Sequence, residues 1–382
     1  MIYLDNSATT KPHKDVLNTF VQVNELYYAN PASIHSAGVE ANTLLMRARE
    51  QLADILQTDA KGVLFTAGGT ESNNFAIQGI AALNTHKGKH IITTEIEHPS
   101  VLESVKLLAQ QGFEVEYLTV NKAGVISLDE LRTKIRKDTI LVSIMHVNNE
   151  MGAIQPIAEA AEIIHALSRA VLHVDAVQSF GKLPVHFDGD AGPDIISISG
   201  HKIHALKGSG VIAFRKHLAI APLIVGGGQE FGLRSGTVAV PQAVALAKAA
   251  RLAVQMMPAT MNNYKKWTAD LRLFFEQFSS DIHLLSTEQG APYILSFSVK
   301  GLKGEILINA LQKCDIIVST SSACSSKQTK ISHVVEALNV EDIFKKGVLR
   351  MSFGAYTTDE DIAAFKQAFT TVMKELKGEL IG

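Results

Sequence analysis

Cysteine is nearly missing from this chain: among 382 residues there are two, Cys314 and Cys324. Two thiols make neither a disulfide framework nor a cysteine-rich metal cluster, and their scarcity points to a reducing cytoplasm in which thiols stay free. Charge of one sign is missing too. The 36 Lys and Arg against 38 Asp and Glu leave a formal −2, and no basic run stands out, which speaks against direct nucleic-acid binding. No run of about 18 apolar residues exists, so no membrane helix is expected. The most apolar helical stretch, Val238 to Met257, is interrupted by Gln242, Lys248 and Arg251. The start, Met1-Ile-Tyr-Leu-Asp-Asn-Ser-Ala8, lacks the basic n-region and long apolar core of a signal peptide. Internal repeats and low-complexity linkers are absent. What is present is an apolar fraction of 46% beside 19% charged residues, the balance of a globular protein. The length implies two domains, or one large domain with a smaller companion.

Short apolar runs alternate with helical patterns through the first two thirds of the chain. Gly62–Thr66, His90–Thr94 and Ile140–Met145 read as strands, each followed by a helical stretch, over Thr70–Leu83, Ser100–Gln111 and Ile157–Leu167. Ala170–Val174, Ile195–Ile198 and Gly210–Phe214 follow as further strands. Continuous apolar runs suit strands buried on both faces of a mainly parallel sheet, and the alternation gives an α/β fold. After Pro258 the texture changes. An amphipathic helix near Tyr264–Phe278 leads to strand signals at Tyr293–Phe297 and Ile316–Val318, a helix over Gly304–Leu311 and a closing helix over Asp359–Leu376. The expected division is a large domain of residues 15–257 and a smaller α+β domain of residues 1–14 and 258–382.

In a parallel sheet, ligands bind beyond the carboxyl ends of the strands. After Phe65 comes Thr66-Ala-Gly-Gly-Thr-Glu-Ser-Asn73, a turn opening a helix whose free N–H groups suit a phosphate; the plain alternative is a Gly turn with a Thr cap. His98 stands just before the next helix, where a histidine also serves as a cap. Asp175 ends a strand with no Lys or Arg in its segment, so it needs either a distant salt bridge or a cationic ligand such as a protonated ring nitrogen. Lys202 ends another apolar strand with no carboxylate near it, and such an amine acts as a nucleophile unless it is simply a solvated edge residue. A phosphate cradle, an acid for a pyridinium nitrogen, a ring to stack and an amine are together the parts that hold pyridoxal phosphate.

The chain closely resembles the cysteine desulfurases, pyridoxal-phosphate enzymes of the aminotransferase class V group. The resemblance runs almost end to end. It is carried by Tyr3-Leu-Asp-Asn-Ser-Ala-Thr-Thr10, Asn30-Pro-Ala-Ser-Ile-His35, Gly68-Gly-Thr-Glu-Ser72, Glu97-His98, His146-Val-Asn-Asn-Glu-Met-Gly152, His173-Val-Asp-Ala-Val-Gln178, Ser199-Gly-His-Lys202, Gly226-Gly-Gly-Gln-Glu230, Arg234-Ser-Gly-Thr237, Ser322-Ala-Cys324 and Arg350-Met-Ser-Phe-Gly354. It implies an aspartate-aminotransferase-like (fold type I) large domain with a mainly parallel seven-stranded sheet. It also implies roles. Lys202 would carry pyridoxal 5'-phosphate as a Schiff base, Asp175 would pair with the pyridinium nitrogen and Gln178 would bond the ring hydroxyl. His98 would stack on the ring and carry protons. Gly69, Thr70, Ser199 and His201 would hold the phosphate. Thr237 would reach the phosphate of a second subunit, making a homodimer. Arg350, helped by Asn149, would take the carboxylate of substrate L-cysteine in a two-pronged contact.

The same resemblance gives Cys324 a purpose. Its thiolate would take sulfur from the substrate as a persulfide and carry it to an acceptor protein, for iron–sulfur clusters or tRNA thiolation. Composition agrees: Ser319 to Lys327 bury little apolar surface and are expected to order weakly, within a catalytic loop of about residues 319–331. Attack requires thiolate, so a base or positive field is needed, with His98 and Lys327 as candidates. Cys314 reads as a small hydrophobe at a helix end. Three departures stand out. Ala205-Leu206 replaces the family's usual Gly-Pro, no proline precedes Ser332-His333, and the chain stops soon after its last helix, which puts the usual acceptor docking in question. The rival readings are a selenocysteine lyase or aminotransferase of the same fold, and a non-catalytic scaffold; Cys324 argues against an aminotransferase, and the Lys202, Asp175, His98 and Arg350 set against a scaffold.

Overall fold

The computed structural model describes residues 1–187, 189, 192–320 and 331–380, with side chains to residue 376. The chain opens with β1 (Ile2–Tyr3) and two helices, α1 (Lys14–Leu26) and α2 (Ser36–Leu56). Then come β2 (Val63–Thr66), α3 (Gly69–Asn84), β3 (His90–Thr94), α4 (Pro99–Gln110), β4 (Glu114–Leu118), α5 (Leu128–Lys134) and β5 (Thr139–Met145). These are followed by α6 (Ile157–Leu167), β6 (Val171–Asp175), β7 (Ile195–Ser199) and β8 (Gly210–Phe214). The long α7 (Val240–Glu276) leads to β9 (Ile282–Leu284), β10 (Ile294–Val299), α8 (Gly304–Lys313), β11 (Ile316–Ile317) and β12 (Ser319–Thr320). The last elements are α9 (His333–Ala337), α10 (Asp342–Lys345), β13 (Val348–Ser352) and α11 (Asp359–Leu380).

Seven strands form the central sheet in the order β2-β8-β7-β6-β5-β3-β4. All neighbours are parallel except β8, which runs antiparallel to both β2 and β7. Because β2 and β7 both oppose β8, β2 points the same way as the parallel strands. The carboxyl ends of β2, β3, β5, β6 and β7 therefore open on one edge. The strands are apolar on both sides because both faces are covered. Val142, Leu172, Val174 and Ile196 enter one core with residues of α2, α6 and α7, while Leu64, Ile91, Leu141 and Ile212 enter another with α3 and α4. The fold is the mainly parallel, seven-stranded α/β architecture expected. β4 lacks the apolar run of its neighbours because it lies at the sheet edge, where Glu114 and Glu116 interrupt it; no strand was expected there.

A second layer is built on the four-stranded sheet β12-β13-β10-β9, and β1 pairs with β11. Its core joins Leu4 and Val147 to residues from Tyr264 onward. The expected break at Pro258 is instead the interior of α7, one helix of 37 residues. Pro258 lies on an exposed stretch, and the helix survives a residue that normally interrupts one because buried side chains anchor it on both sides, from Val240 to Ala250 and from Tyr264 to Phe275. Ser319-Thr320, expected in a weakly ordered loop, form β12 and pair with Arg350 and Leu349 of β13. Cys314 caps the end of α8 but is exposed, not packed as a hydrophobe. The helix ends there, and the chain turns at Asp315 through a positive φ of 62°.

Candidate active site

A cavity of about 710 Å³ opens at the carboxyl edge of the central sheet, between it and the second layer. Ten of the expected site residues line it: Gly69, Thr70, His98, Asn149, Asp175, Gln178, Ser199, His201, Lys202 and Arg350. Thr237 does not. It is exposed and borders a separate cavity of about 90 Å³ with Thr66 and Arg234. Cys324 lies outside the described residues. Both flanks of its segment are nevertheless at the cavity: Ile331, Ser332 and His333 line it, and Ser319 sits opposite the lining residue Arg350 on the neighbouring strand.

One wall consists of strand ends. At the start of α3, Gly68 offers no side-chain cap, so the first N–H groups of a 16-residue helix face the cavity without a capping side chain. This counts against the Thr-capped turn. A Cβ on Gly69 would stand 2.7 Å from Val177 Cγ2 and 3.4 Å from Ser199 Cβ, so glycine is needed to keep this cradle open. Asp175 accepts from Asn73 Nδ2 at 2.7 Å and from the Val177 N–H at 2.9 Å, and no Lys or Arg among the described residues pairs with it. The distant salt bridge is thus not what satisfies it; a cationic ligand would. Gln178 donates to the Ser7 carbonyl at 3.0 Å, leaving its buried Oε1 without a partner, as is the buried Oδ1 of Asn73. A phosphate cradle, an unpaired buried carboxylate and an orphaned acceptor facing one cavity fit pyridoxal phosphate.

His98 both caps α4 and lines the cavity. Its Nδ1 accepts from the Ser100 N–H at 3.1 Å, which leaves the proton on Nε2. Burial lowers its pKa, with Asp175 opposing and Lys202 reinforcing that shift. His201 is pushed down to about 4, mainly by burial and then by Lys202 and Lys207, so at neutral pH it serves as an uncharged group. Lys202 donates to the carbonyls of Ser7 and, at 2.8 Å, Ala8, which aim its amine along the cavity. Beyond Lys202 the loop holds its shape without the usual glycine. The residue with positive φ is His204, at 61°, one before Ala205, and its ring is held: Nδ1 donates to the Lys11 carbonyl at 2.8 Å and Nε2 accepts from the Ala355 N–H at 3.2 Å.

The opposite wall belongs to the second layer. Arg350, buried on β13, donates to the Asn149 carbonyl and to Asp5 Oδ1, both at 2.8 Å, while its Nε has no partner. A guanidinium has five donors, so N–H groups remain for a two-pronged contact. Asn149 thus acts here through its backbone. Several residues lining the cavity carried no expected role: Ser7, Ala8, Asn73, Ser100, Glu150, Ser332 and His333. Asn73 was legible in principle, standing four residues after Gly69 and hence on the same helix face. The Ser7 and Ala8 carbonyls carry no residue-type signal at all.

With this geometry in place, the comparisons decide the family. The model of the aminotransferase class-V family matches residues 2–365. The chain belongs to that family. A cysteine desulfurase IscS of Dictyoglomus turgidum is 39% identical over 381 residues, covering 98% of this chain and 95% of that protein. A solved NifS-like protein superposes with a TM-score of 0.92 at 36% identity, over 98% of this chain and 99% of that one. A second solved structure, SspA in complex with cysteine, gives a TM-score of 0.80 at 31% identity, over 94% of this chain and 100% of that one.

Proposed function

We propose that this protein is a pyridoxal-phosphate-dependent cysteine desulfurase, converting L-cysteine to L-alanine and leaving the sulfur as a persulfide on Cys324. The observation that carries the reading is the meeting of ten site residues in one cavity to which both flanks of the Cys324 segment are fastened. Cys324 is four residues from Thr320 and seven from Ile331. At ~3.5 Å per residue the backbone cannot carry it more than roughly 14 Å from the first or ~25 Å from the second. The relatives named as cysteine desulfurases and the neighbour solved with cysteine support the same substrate here.

When bound, pyridoxal phosphate supplies an electron sink that weakens bonds at the α- and β-carbons of an amino acid. Gly69, Thr70, Ser199 and His201 would hold its phosphate, Asp175 and Gln178 its ring, and Lys202 the covalent attachment. Arg350, itself held by the Asn149 carbonyl, binds and orients the substrate carboxylate. His98 Nε2 and Lys202 Nζ move protons. Cys324 thiolate forms the new S–S bond as the substrate C–S bond breaks, and the carbon takes up a proton: enzyme thiol plus cysteine gives enzyme persulfide plus alanine. We further assign residues 15–257 to the cofactor-holding domain and 1–14 with 258–382 to the domain bearing Cys324, the boundary falling within the continuous α7 that joins them. A homodimer is consistent with the exposed side chains of Tyr28, Ile34, Val225 and Phe231, and with Thr237 lying outside the lining of its own subunit's larger cavity. No described helix is long and apolar enough to cross a membrane; the enzyme is assigned to the cytoplasm, serving an iron–sulfur scaffold or a tRNA-thiolation protein as acceptor.

The test is Cys324→Ser. The variant keeps the cofactor's colour and its response to cysteine but releases no sulfide in the presence of a thiol reductant. Full retained sulfide release overturns the persulfide route.

A further inference from the structure

Immediately after the Cys324 segment, two consecutive side chains are tied to the cavity wall. Ser332 Oγ donates to Glu150 Oε2 at 2.6 Å while accepting from the Val334 N–H at 3.1 Å as the cap of α9. His333 Nε2 donates to the Glu97 carbonyl at 2.9 Å; a carbonyl only accepts, so this nitrogen carries the proton. Below them Val334 and Val335 are buried beside Ile96, Met145 and Met151. Those apolar contacts and the cap already suffice to hold a short helix. They do not require a buried carboxylate as partner for Ser332.

Glu150 follows Asn149, whose carbonyl holds Arg350. Glu97 precedes His98, and its own carboxyl is fixed by the Met145 N–H and Thr94 Oγ1, both at 2.8 Å. The two bonds therefore end on the immediate neighbours of the group that orients substrate and of the ring that moves protons. We propose that Ser332 and His333 are positioning residues for sulfur transfer, fixing the departure point of the Cys324 segment relative to Arg350 and His98. The bond to Glu150, the shorter of the two and made to a buried carboxyl group, carries the larger share; the bond from His333, which is exposed, carries the smaller. The inference rests on the persulfide reading above.

The experiment uses the full-length, cofactor-loaded protein and reads two events after mixing with L-cysteine. The first is the visible absorbance change that reports substrate engagement. The second is persulfide on Cys324, trapped by alkylation and measured by mass. Ser332→Ala should leave the first unchanged and slow the second about tenfold, the effect of one lost buried hydrogen bond. Ser332→Thr, which keeps the hydroxyl, should stay within about twofold of the parent, and His333→Phe should slow persulfide formation by about two- to threefold. Persulfide formation by Ser332→Ala at the parent rate, or slowed only in step with substrate engagement, overturns the proposal. A parent protein that engages cysteine but forms no persulfide on Cys324 overturns the reading beneath it.

Discussion

The two walls of the cavity are built by different rules. The sheet wall is assembled from residues at or just beyond the ends of successive strands: Gly69 after β2, His98 after β3, Asp175 at the end of β6 and Lys202 after β7. There His98 and Asp175 are oriented by close neighbours and an adjoining helix, while Gln178 and Lys202 reach back to the Ser7 and Ala8 carbonyls at the start of the chain. The second-layer wall is assembled across the whole chain. Arg350 is paired with Asp5, 345 residues distant, and Ser332 with Glu150, 182 residues distant. In the proposed function the first wall would offer an anchoring amine, a phosphate cradle and a ring-nitrogen partner. The second would offer a carboxylate-binding guanidinium and the moorings of the thiol-bearing segment. On that reading the cofactor is held chiefly by one layer and the substrate carboxylate by the other, and changes on the two walls should fail differently.

Lys202→Ala breaks the sheet wall most completely. It should lose the covalently held colour and all measurable sulfide release, since among the described residues no other lysine lines this cavity. Arg350→Lys should spare the colour. A point charge cannot copy the planar fork, so kcat/KM for cysteine should fall about 100-fold, chiefly through KM, in steady-state assays. Gly69→Ala narrows the cradle against Val177 and Ser199. It should weaken cofactor retention by about tenfold in dialysis against phosphate, with little change in KM for cysteine once the protein is saturated.

The smallest expected effect concerns Glu97, behind the sheet wall. Burial pushes its carboxyl from 4.5 up to about 8. The folded protein then keeps a proton that the unfolded chain releases, so stability is lost as pH climbs through the window from about 4.5 to about 8. Glu97→Gln removes that titration. Denaturant melts at pH 5 and pH 8 should differ less for the variant than for the parent, by on the order of 1–3 kcal/mol.

The same division explains what was legible in the sequence. The sheet wall was readable because a buried parallel strand is a continuous apolar run and its ligand-binding residues come directly after it; Asp175 and Lys202 stand out as charged groups at the ends of such runs. Resemblance to relatives then supplied Arg350 and Asn149, for which local pattern gives no signal. Neither route reached the Ser7 and Ala8 carbonyls, because a backbone contact leaves no mark on residue type. The hydrogen bond between Ser332 and Glu150 was equally hidden: Ser332 reads as an ordinary helix cap, and its partner lies far away in the chain. The uninterrupted α7 was missed because local proline chemistry was outweighed by packing at both ends of the helix.

The most direct test of the division of labour is to incubate the cofactor-loaded protein with L-cysteine and a thiol reductant and to quantify alanine and sulfide together. Equal yields of the two, with no pyruvate, are what a cavity with an electron sink on one wall and a sulfur-accepting thiol tethered to the other should give. Pyruvate in place of alanine, or alanine formed only when a keto acid is supplied as amino-group acceptor, would contradict it.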